Sequence, residues 1–286
     1  MTVILEPPAP TIRLLWVDLT RKCQLNCTHC LNDSGPTGDH GTMTSADWTA
    51  VLDQAYAAGI EEVRFFGGEP TLHPDALDLV GHALDIGLSI EVFSNLVHVS
   101  DAWWDLLARP GAALATSYYS DEPAEHDAIT SRASHARTRA NIIRAVERGI
   151  LLRVEVIAIC EGQRTAEAAA ELRGLGVENV RVASVRPFGR AADGQDPDTA
   201  ELCGRCGTGT ASIGPDGVVS PCVFSTFISV GNTRDTALAG ILHSPAMTEA
   251  NATIRAAHGP DDDDGGDDKD AECSPGFPGS GCSPRN

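Results

Sequence analysis

Three cysteines sit close together near the start of the chain, in Cys23-Gln-Leu-Asn-Cys27-Thr-His-Cys30. Soft thiolates at such spacing select zinc or an iron–sulfur cluster. A structural zinc takes four ligands, two of them from a second pair elsewhere. A cubane cluster normally takes four cysteines. Three thiolates on a cubane leave one iron open, and an open metal position is where a substrate or cofactor binds. His29 is read as packing beside the thiols, which already satisfy a soft site. A second group begins at Cys203-Gly-Arg-Cys206 and continues through Cys222, Cys273 and Cys282, while Cys160 stands alone.

Composition narrows the classes of function. Nine cysteines is an odd number. The first residues lack a basic segment followed by a long apolar stretch, so no signal peptide is read. Both features disfavour a disulfide framework and fit a cytoplasmic protein whose clustered thiols bind metal. No apolar run approaches the ~20 residues of a membrane span, so no membrane partner is expected. The net charge is −19; segment 259–286 holds seven Asp, one Glu, one Lys and one Arg, leaving −13 on the body. That balance lacks the basic stripe of a nucleic-acid binder. It serves solubility and is compatible with a cationic substrate.

The elements that must position the thiols come from an alternation of apolar runs with helical spacing. Strands are predicted over 11–19, 62–66, 89–94, 112–119, 151–160 and 179–186. Helices are predicted over 45–58 (capped by Ser45), 74–86, 101–108, 137–148 and 165–175. Six strands alternating with five helices imply a parallel sheet, since parallel neighbours need crossover connections. Periodicity alone leaves a barrel and a doubly wound layer both open. The Gly/Asp-rich stretch 189–199 reads as a linker. Short strands are expected near 211–213 and 218–219, joined by a tight hairpin at Asp216-Gly217 that presents Cys222. A short helix near 238–242 follows, and a helical pattern ends across 251–258. The acidic run 261–270 repels itself and reads as a solvated loop. Its alternative reading is a clamp for a basic peptide.

Cys-x-x-x-Cys-x-x-Cys after a first strand resembles the signature of the radical S-adenosylmethionine superfamily. Further segments strengthen the resemblance. Phe65-Phe66-Gly67-Gly68-Glu69-Pro70 ends the second strand and is similar to the family's GGE motif, which binds the methionyl amino group. Two glycines let the backbone approach a ligand closely, and their free N–H and C=O groups, with Glu69 beside them, suit a cationic amino group. Phe93-Ser94-Asn95 is similar to the family's Thr-Asn segment, and Ala115-Thr116-Ser117-Tyr118 to its ribose-contacting position. His126 to Thr130 followed by Arg132 resembles the region whose arginine meets the methionyl carboxylate, here in a slightly different register. All fall at C-terminal strand ends, where parallel α/β barrels place their chemistry. The resemblance covers about residues 12–188. It implies an α/β fold, a six-stranded partial (β/α)6 barrel over 1–190. Its cofactors would be S-adenosylmethionine and a [4Fe-4S] cluster on Cys23, Cys27 and Cys30, with one open iron. The adenosylmethionine would lie on Gly67, Gly68, Glu69, Pro70, Asn95, Ser117 and Arg132.

The Ile213-Gly-Pro-Asp-Gly-Val-Val-Ser-Pro-Cys222 context resembles the superfamily's auxiliary-cluster extension, called SPASM in its long form and twitch in its short form. This implies a small Cys-rich domain over 200–286 with at least one auxiliary [4Fe-4S] cluster. Its ligands would be Cys203, Cys206, Cys222 and one of Cys273 and Cys282. A four-thiolate zinc site on Cys203, Cys206, Cys273 and Cys282 stays open beside it.

The implied reaction cleaves S-adenosylmethionine reductively and takes a hydrogen atom from the substrate. An auxiliary cluster suits a net oxidation, such as crosslinking a ribosomally made peptide. An external donor such as flavodoxin or ferredoxin and a separate peptide-recognition protein would be partners. Dehydrogenation or epimerisation of a small cationic natural product is a second reading, with Cys160 as hydrogen donor in an epimerase. A non-catalytic iron–sulfur or zinc module is a third, which the intact Gly67–Glu69 motif disfavours.

Overall fold

A computed structural model describes residues 12–258. Six parallel strands form the body: β1 (Leu14–Asp18), β2 (Glu62–Phe66), β3 (Ser89–Phe93), β4 (Ala112–Tyr118), β5 (Leu152–Ala158) and β6 (Asn179–Ser184). Each connection is helical, as parallel neighbours require. The helices are α1 (Ser45–Ala57), α2 (Ala76–Asp85), α3 (Asp101–Leu107), α4 (Pro123–Thr130), α5 (His135–Glu147) and α6 (Thr165–Gly174).

Strand alternation gives the sheet two different faces. Leu15, Val17, Val63, Phe65, Ile90, Val92, Leu114, Val154 and Val156 point one way and join the main core with Trp48, Leu52, Leu79, Trp104, Ile142 and Leu172 of the helices. Trp16, Arg64, Glu91, Phe93, Arg153 and Glu155 occupy the intervening positions. Register brings these charges together across three strands, since Arg64 pairs with Glu91 and Ala115 pairs with Arg153. Arg153 donates twice to Glu91, at 3.1 and 2.8 Å. Arg64 lies 2.6 Å from Glu62 and 3.2 Å from Glu91. Their guanidinium groups also cover Trp16 and Phe93, at 5.2 and 4.9 Å from the ring centres. Arg64, Arg153 and Glu91 are tolerated here because each finds an opposite charge.

The C-terminal segment continues the same sheet. β7 (Thr210–Ile213) lies parallel to β1, and β8 (Val218–Ser220) and β9 (Gly231–Asn232) follow antiparallel. The strand order is β6-β5-β4-β3-β2-β1-β7-β8-β9, so it does not close on itself. The hairpin expected at Asp216-Gly217 joins β7 to β8, with Gly217 at a φ of 80°. α7 (Leu238–Leu242) and α8 (Pro245–Ala256) complete the described chain.

Local chemistry sets several boundaries differently from the sequence reading. The first helix is capped by Thr44, not Ser45. Its hydroxyl accepts from the Asp47 N–H while Asp47 accepts from the Thr44 N–H, a reciprocal capping box. α5 starts two residues early because Asp127, on α4, accepts from the N–H groups of Ser134 and His135. α4 and the first half of α8 lie outside the helices expected from sequence, although each opens on proline at its first turn. Ser244 caps α8 through the Met247 N–H. The acidic run 261–270, Cys273 and Cys282 lie outside the described residues.

Candidate active site

The loop after β1 carries the three thiols to the C-terminal ends of the strands. It is held there by backbone bonds from Cys23 to Gly35, from Asn26 to Thr130 and from Thr28 to Ile129. Arg190 clamps it from the far side, donating to the carbonyls of Cys27 at 2.7 Å and Ser34 at 2.8 Å.

Cys23, Cys27 and Cys30 all line one cavity of about 300 Å³, together with Gly67, Gly68, Asn95 and Ser117. The Cys23 sulfur accepts from the Leu25 N–H at 3.4 Å and the Asn95 amide at 3.5 Å. Burial pushes the thiols of Cys23 and Cys27 up to about 12. Such thiols stay protonated in water and ionise when a metal takes the sulfur. His29 stacks edge-on against Tyr119, 5.0 Å between centres, and burial lowers its ring to about 4.

The Gly67–Pro70 segment divides into two parts with different jobs. A Cβ on Gly68 would stand 2.3 Å from the Lys22 carbonyl oxygen, and one on Gly67 2.6 Å from that of Thr20. The glycines therefore let the end of β2 lie directly against the cysteine loop. Gly68 N–H donates to Thr20 and Glu69 N–H to Lys22. Glu69 is fully enclosed, and its carboxylate is taken by four donors. Oε1 accepts from the Thr71 N–H, the Thr71 hydroxyl and the Ser94 hydroxyl; Oε2 accepts from the Asn95 N–H at 2.8 Å. Burial raises its pKa against those bonds. Glu69 thus ties the end of β2 to the end of β3, and Pro70 opens a 3₁₀ turn behind it.

Asn95 relays this strut to the loop, its side-chain oxygen accepting from Gln24 at 2.9 Å. Arg132 is exposed, and among the described residues its guanidinium donates to the Ser131 carbonyl alone. Cys160 is exposed beyond β5. The guanidinium groups on the cavity wall are instead Arg186 and Arg190, with Glu155 as the carboxylate among the lining residues. Sequence reasoning missed these three. The signal for Glu155 was present in β5, where Arg153, Glu155 and Ile157 alternate with Val154 and Val156.

The second thiol group is built from residues around β8. Cys206 and Cys222 are buried with sulfurs 3.3 Å apart, and Cys203 bonds Cys206. Phe188, Leu202 and Ile254 enclose them. Cys206, donating to its neighbours, is pushed up. Cys222, accepting from Cys206 and from the Phe224 N–H, is held down. The zinc grouping left open from sequence omitted Cys222, yet Cys222 belongs to this group.

Comparisons with known proteins agree with this construction. Residues 17–172 match the family model of the radical SAM superfamily, and residues 203–274 match an iron–sulfur cluster-binding domain, SPASM. A PqqA peptide cyclase of Streptomyces rochei is 29% identical over 177 residues, 60% of this chain and 48% of that protein. One from Gluconobacter oxydans is 30% identical over 187 residues, covering 64% and 51%. The chain therefore spans about half the length of these curated relatives. Among solved structures, Streptococcus suis SuiB bound to precursor peptide SuiA superposes with a TM-score of 0.71 at 17% identity, covering 86% of this chain and 67% of that one. The anSMEcpe enzyme with bound AdoMet and a Cp18Cys peptide gives 0.65 at 12%, covering 85% and 83%. These structural likenesses speak to fold. Among the described residues, no helix is long and apolar enough to cross a membrane. With its three-thiol loop, its glycine-lined strand end and a family match over more than half its length, the chain belongs to the radical SAM superfamily.

Proposed function

We propose that this protein oxidatively modifies or crosslinks a ribosomally made peptide. The observation that carries the reading is a single cavity bounded by both thiol regions. One wall holds Cys23, Cys27, Cys30, Gly67 and Gly68; another holds Val223 and Phe224, which follow Cys222 directly. The named relatives, two PqqA peptide cyclases and SuiB with its precursor peptide, support a peptide as substrate.

The donor set fits the implied cofactors. Three thiols, Cys23 buried and Cys27 and Cys30 half-buried, face one space, with backbone cradled so closely that a Cβ at Gly68 has no room. Cys23, Cys27 and Cys30 would hold a [4Fe-4S] cluster, and Gly67, Gly68, Asn95 and Ser117 would border S-adenosylmethionine. Cys203, Cys206 and Cys222 would hold an auxiliary cluster. When bound, these groups supply one-electron chemistry and a 5′-deoxyadenosyl radical that takes a hydrogen atom from carbon. The chain's own residues do the positioning. Glu69 braces β2 against β3, Arg190 fixes the cysteine loop, and Asn95 donates to Cys23. An apolar wall of Trp16, Phe66, Phe93 and Phe224 keeps bulk water from the space where hydrogen would be taken. Flavodoxin or ferredoxin would donate electrons, and a separate recognition protein would present the peptide. The two units proposed from sequence, 1–190 and 200–286, act as one active-site frame because β7 pairs with β1.

The test is anaerobic reconstitution followed by dithionite, S-adenosylmethionine and short peptides encoded beside this gene. The expected result is 5′-deoxyadenosine together with a peptide lighter by two hydrogens. Absence of 5′-deoxyadenosine from a fully iron-loaded sample would refute the enzyme reading. Formation of 5′-deoxyadenosine with every neighbouring peptide unchanged would refute the peptide.

A further inference from the structure

The cavity wall also carries a guanidinium that has no hydrogen-bond or ion-pair partner among the described residues. Arg186 follows β6, is 9% exposed and lines the cavity. Its guanidinium lies over the ring of Phe224, 4.8 Å from the centre. Among the described residues it makes no hydrogen bond and no ion pair. A guanidinium has five donors and never loses its charge. Withdrawing such a group from water without a partner is costly. Stacking on a ring offsets part of that and leaves the N–H edge free.

Neighbouring carboxylates do not supply the missing partner. Glu91 is engaged by Arg153 and Arg64, and Glu62 by Arg64. Glu155 shares the cavity wall and feels the charge of Arg186, together with those of Arg153 and Arg181, but it forms no ion pair with Arg186, and burial raises its pKa against those charges. Arg190 is occupied by the carbonyls of Cys27 and Ser34. So a chain of net charge −19 has a cavity lined by two arginines against one carboxylate. The charge of the whole chain points to a cationic partner, whereas the lining points the other way.

We propose that Arg186 docks a carboxylate of the substrate, an Asp or Glu side chain beside the carbon that loses hydrogen. The inference rests on the peptide-modifying reading and names the substrate feature that the site selects. A planar guanidinium fixed on Phe224 offers two parallel N–H bonds to a carboxylate. Arg186 stands on the side of Phe224 and Cys222, whereas the methionyl end of S-adenosylmethionine is assigned to Gly67 and Gly68.

The test uses the full, cluster-loaded protein and does not depend on turnover. Phenylglyoxal labels accessible arginines, and mass spectrometry reads the labelled fraction at Arg186. The probes are acetyl-glutamate amide and acetyl-glutamine amide, each added with and without saturating S-adenosylmethionine. The glutamate probe is expected to protect Arg186 with S-adenosylmethionine already bound, and the glutamine probe is not. Equal protection by both probes, or by neither, overturns the proposal. Full protection by S-adenosylmethionine alone assigns the arginine to the methionyl carboxylate and also overturns it. Equilibrium dialysis of the two probes reads the variant that has no guanidinium to label: in Arg186→Gln the preference for the acidic probe should fall by about 30-fold or more, as for removal of one partner of a buried charge pair. An unchanged preference is a refutation. Failure to form 5′-deoxyadenosine would sink the enzyme reading while leaving the labelling result readable.

Discussion

Replacing Gly68 with alanine isolates the contact that seats the cysteine loop. The backbone at Gly68 lies outside the left-handed region, so alanine adds no torsional strain there. Its Cβ would stand 2.3 Å from the Lys22 oxygen, 2.7 Å from the Lys22 carbonyl carbon and 3.0 Å from the Cys23 Cβ. Real Cβ atoms essentially never come within 3.0 Å, so backbone must yield by about 0.7 Å. The same Lys22 oxygen accepts from the Glu69 N–H at 2.9 Å, so the shift also strains that bond. Overpacking of this kind costs about 1–3 kcal/mol. Gly59→Ala is the control. Gly59 has a φ of 79° and open space around it, so only backbone strain of about 1 kcal/mol applies. Urea titration should show Gly68→Ala losing at least as much stability as the control. The distinguishing readout is iron after anaerobic reconstitution. Gly68→Ala should lose ~4 iron atoms per chain, one cubane, while Gly59→Ala retains all. Full iron in Gly68→Ala would refute the seating argument, because Cys23 would then be indifferent to the end of β2.

Other outcomes follow from burial and charge. Burial, with His135 adding, lowers the His126 ring from 6.5 to about 4. The unfolded chain therefore takes the proton first as pH falls. Its stabilisation is complete above pH 6.5 and is lost as pH drops from there to about 4, roughly 3 kcal/mol in all. Urea titrations at pH 7 and pH 5 should show the wild type losing about 2 kcal/mol more than His126→Phe; equal losses would contradict this. Glu91→Gln should cost about 3–5 kcal/mol by stranding Arg153, and adding Arg153→Met should restore part of it; strictly additive losses in the double-mutant cycle would show the pair is uncoupled. Thr44→Ala should cost about 0.5–2 kcal/mol by urea titration, whereas Ser45→Ala should cost little, because Thr44 is the cap.

The sequence by itself determined much of this protein. Strand and helix alternation is written in local periodicity, so all six parallel strands were legible to within a few residues. The Asp216-Gly217 turn was legible because a positive φ is a local demand. Cys23, Cys27 and Cys30 were legible because ligand spacing within one loop is local too. What tertiary structure alone decided concerns residues far apart in the chain. Glu69 looked like a ligand contact, yet strand order sets it against Ser94 and Asn95, whose donors consume its oxygens. Arg132 looked like the carboxylate partner, yet it ends on the surface, and Arg186 reaches the cavity because β6 lies beside β5. The last strands read as a small Cys-rich domain, and only the structure shows that its β7 pairs with β1 in the sheet of the body. Spacing reports which residues share a loop or a face. It does not report which strand ends meet, and that depends on register and sheet order fixed by burying the whole apolar face at once.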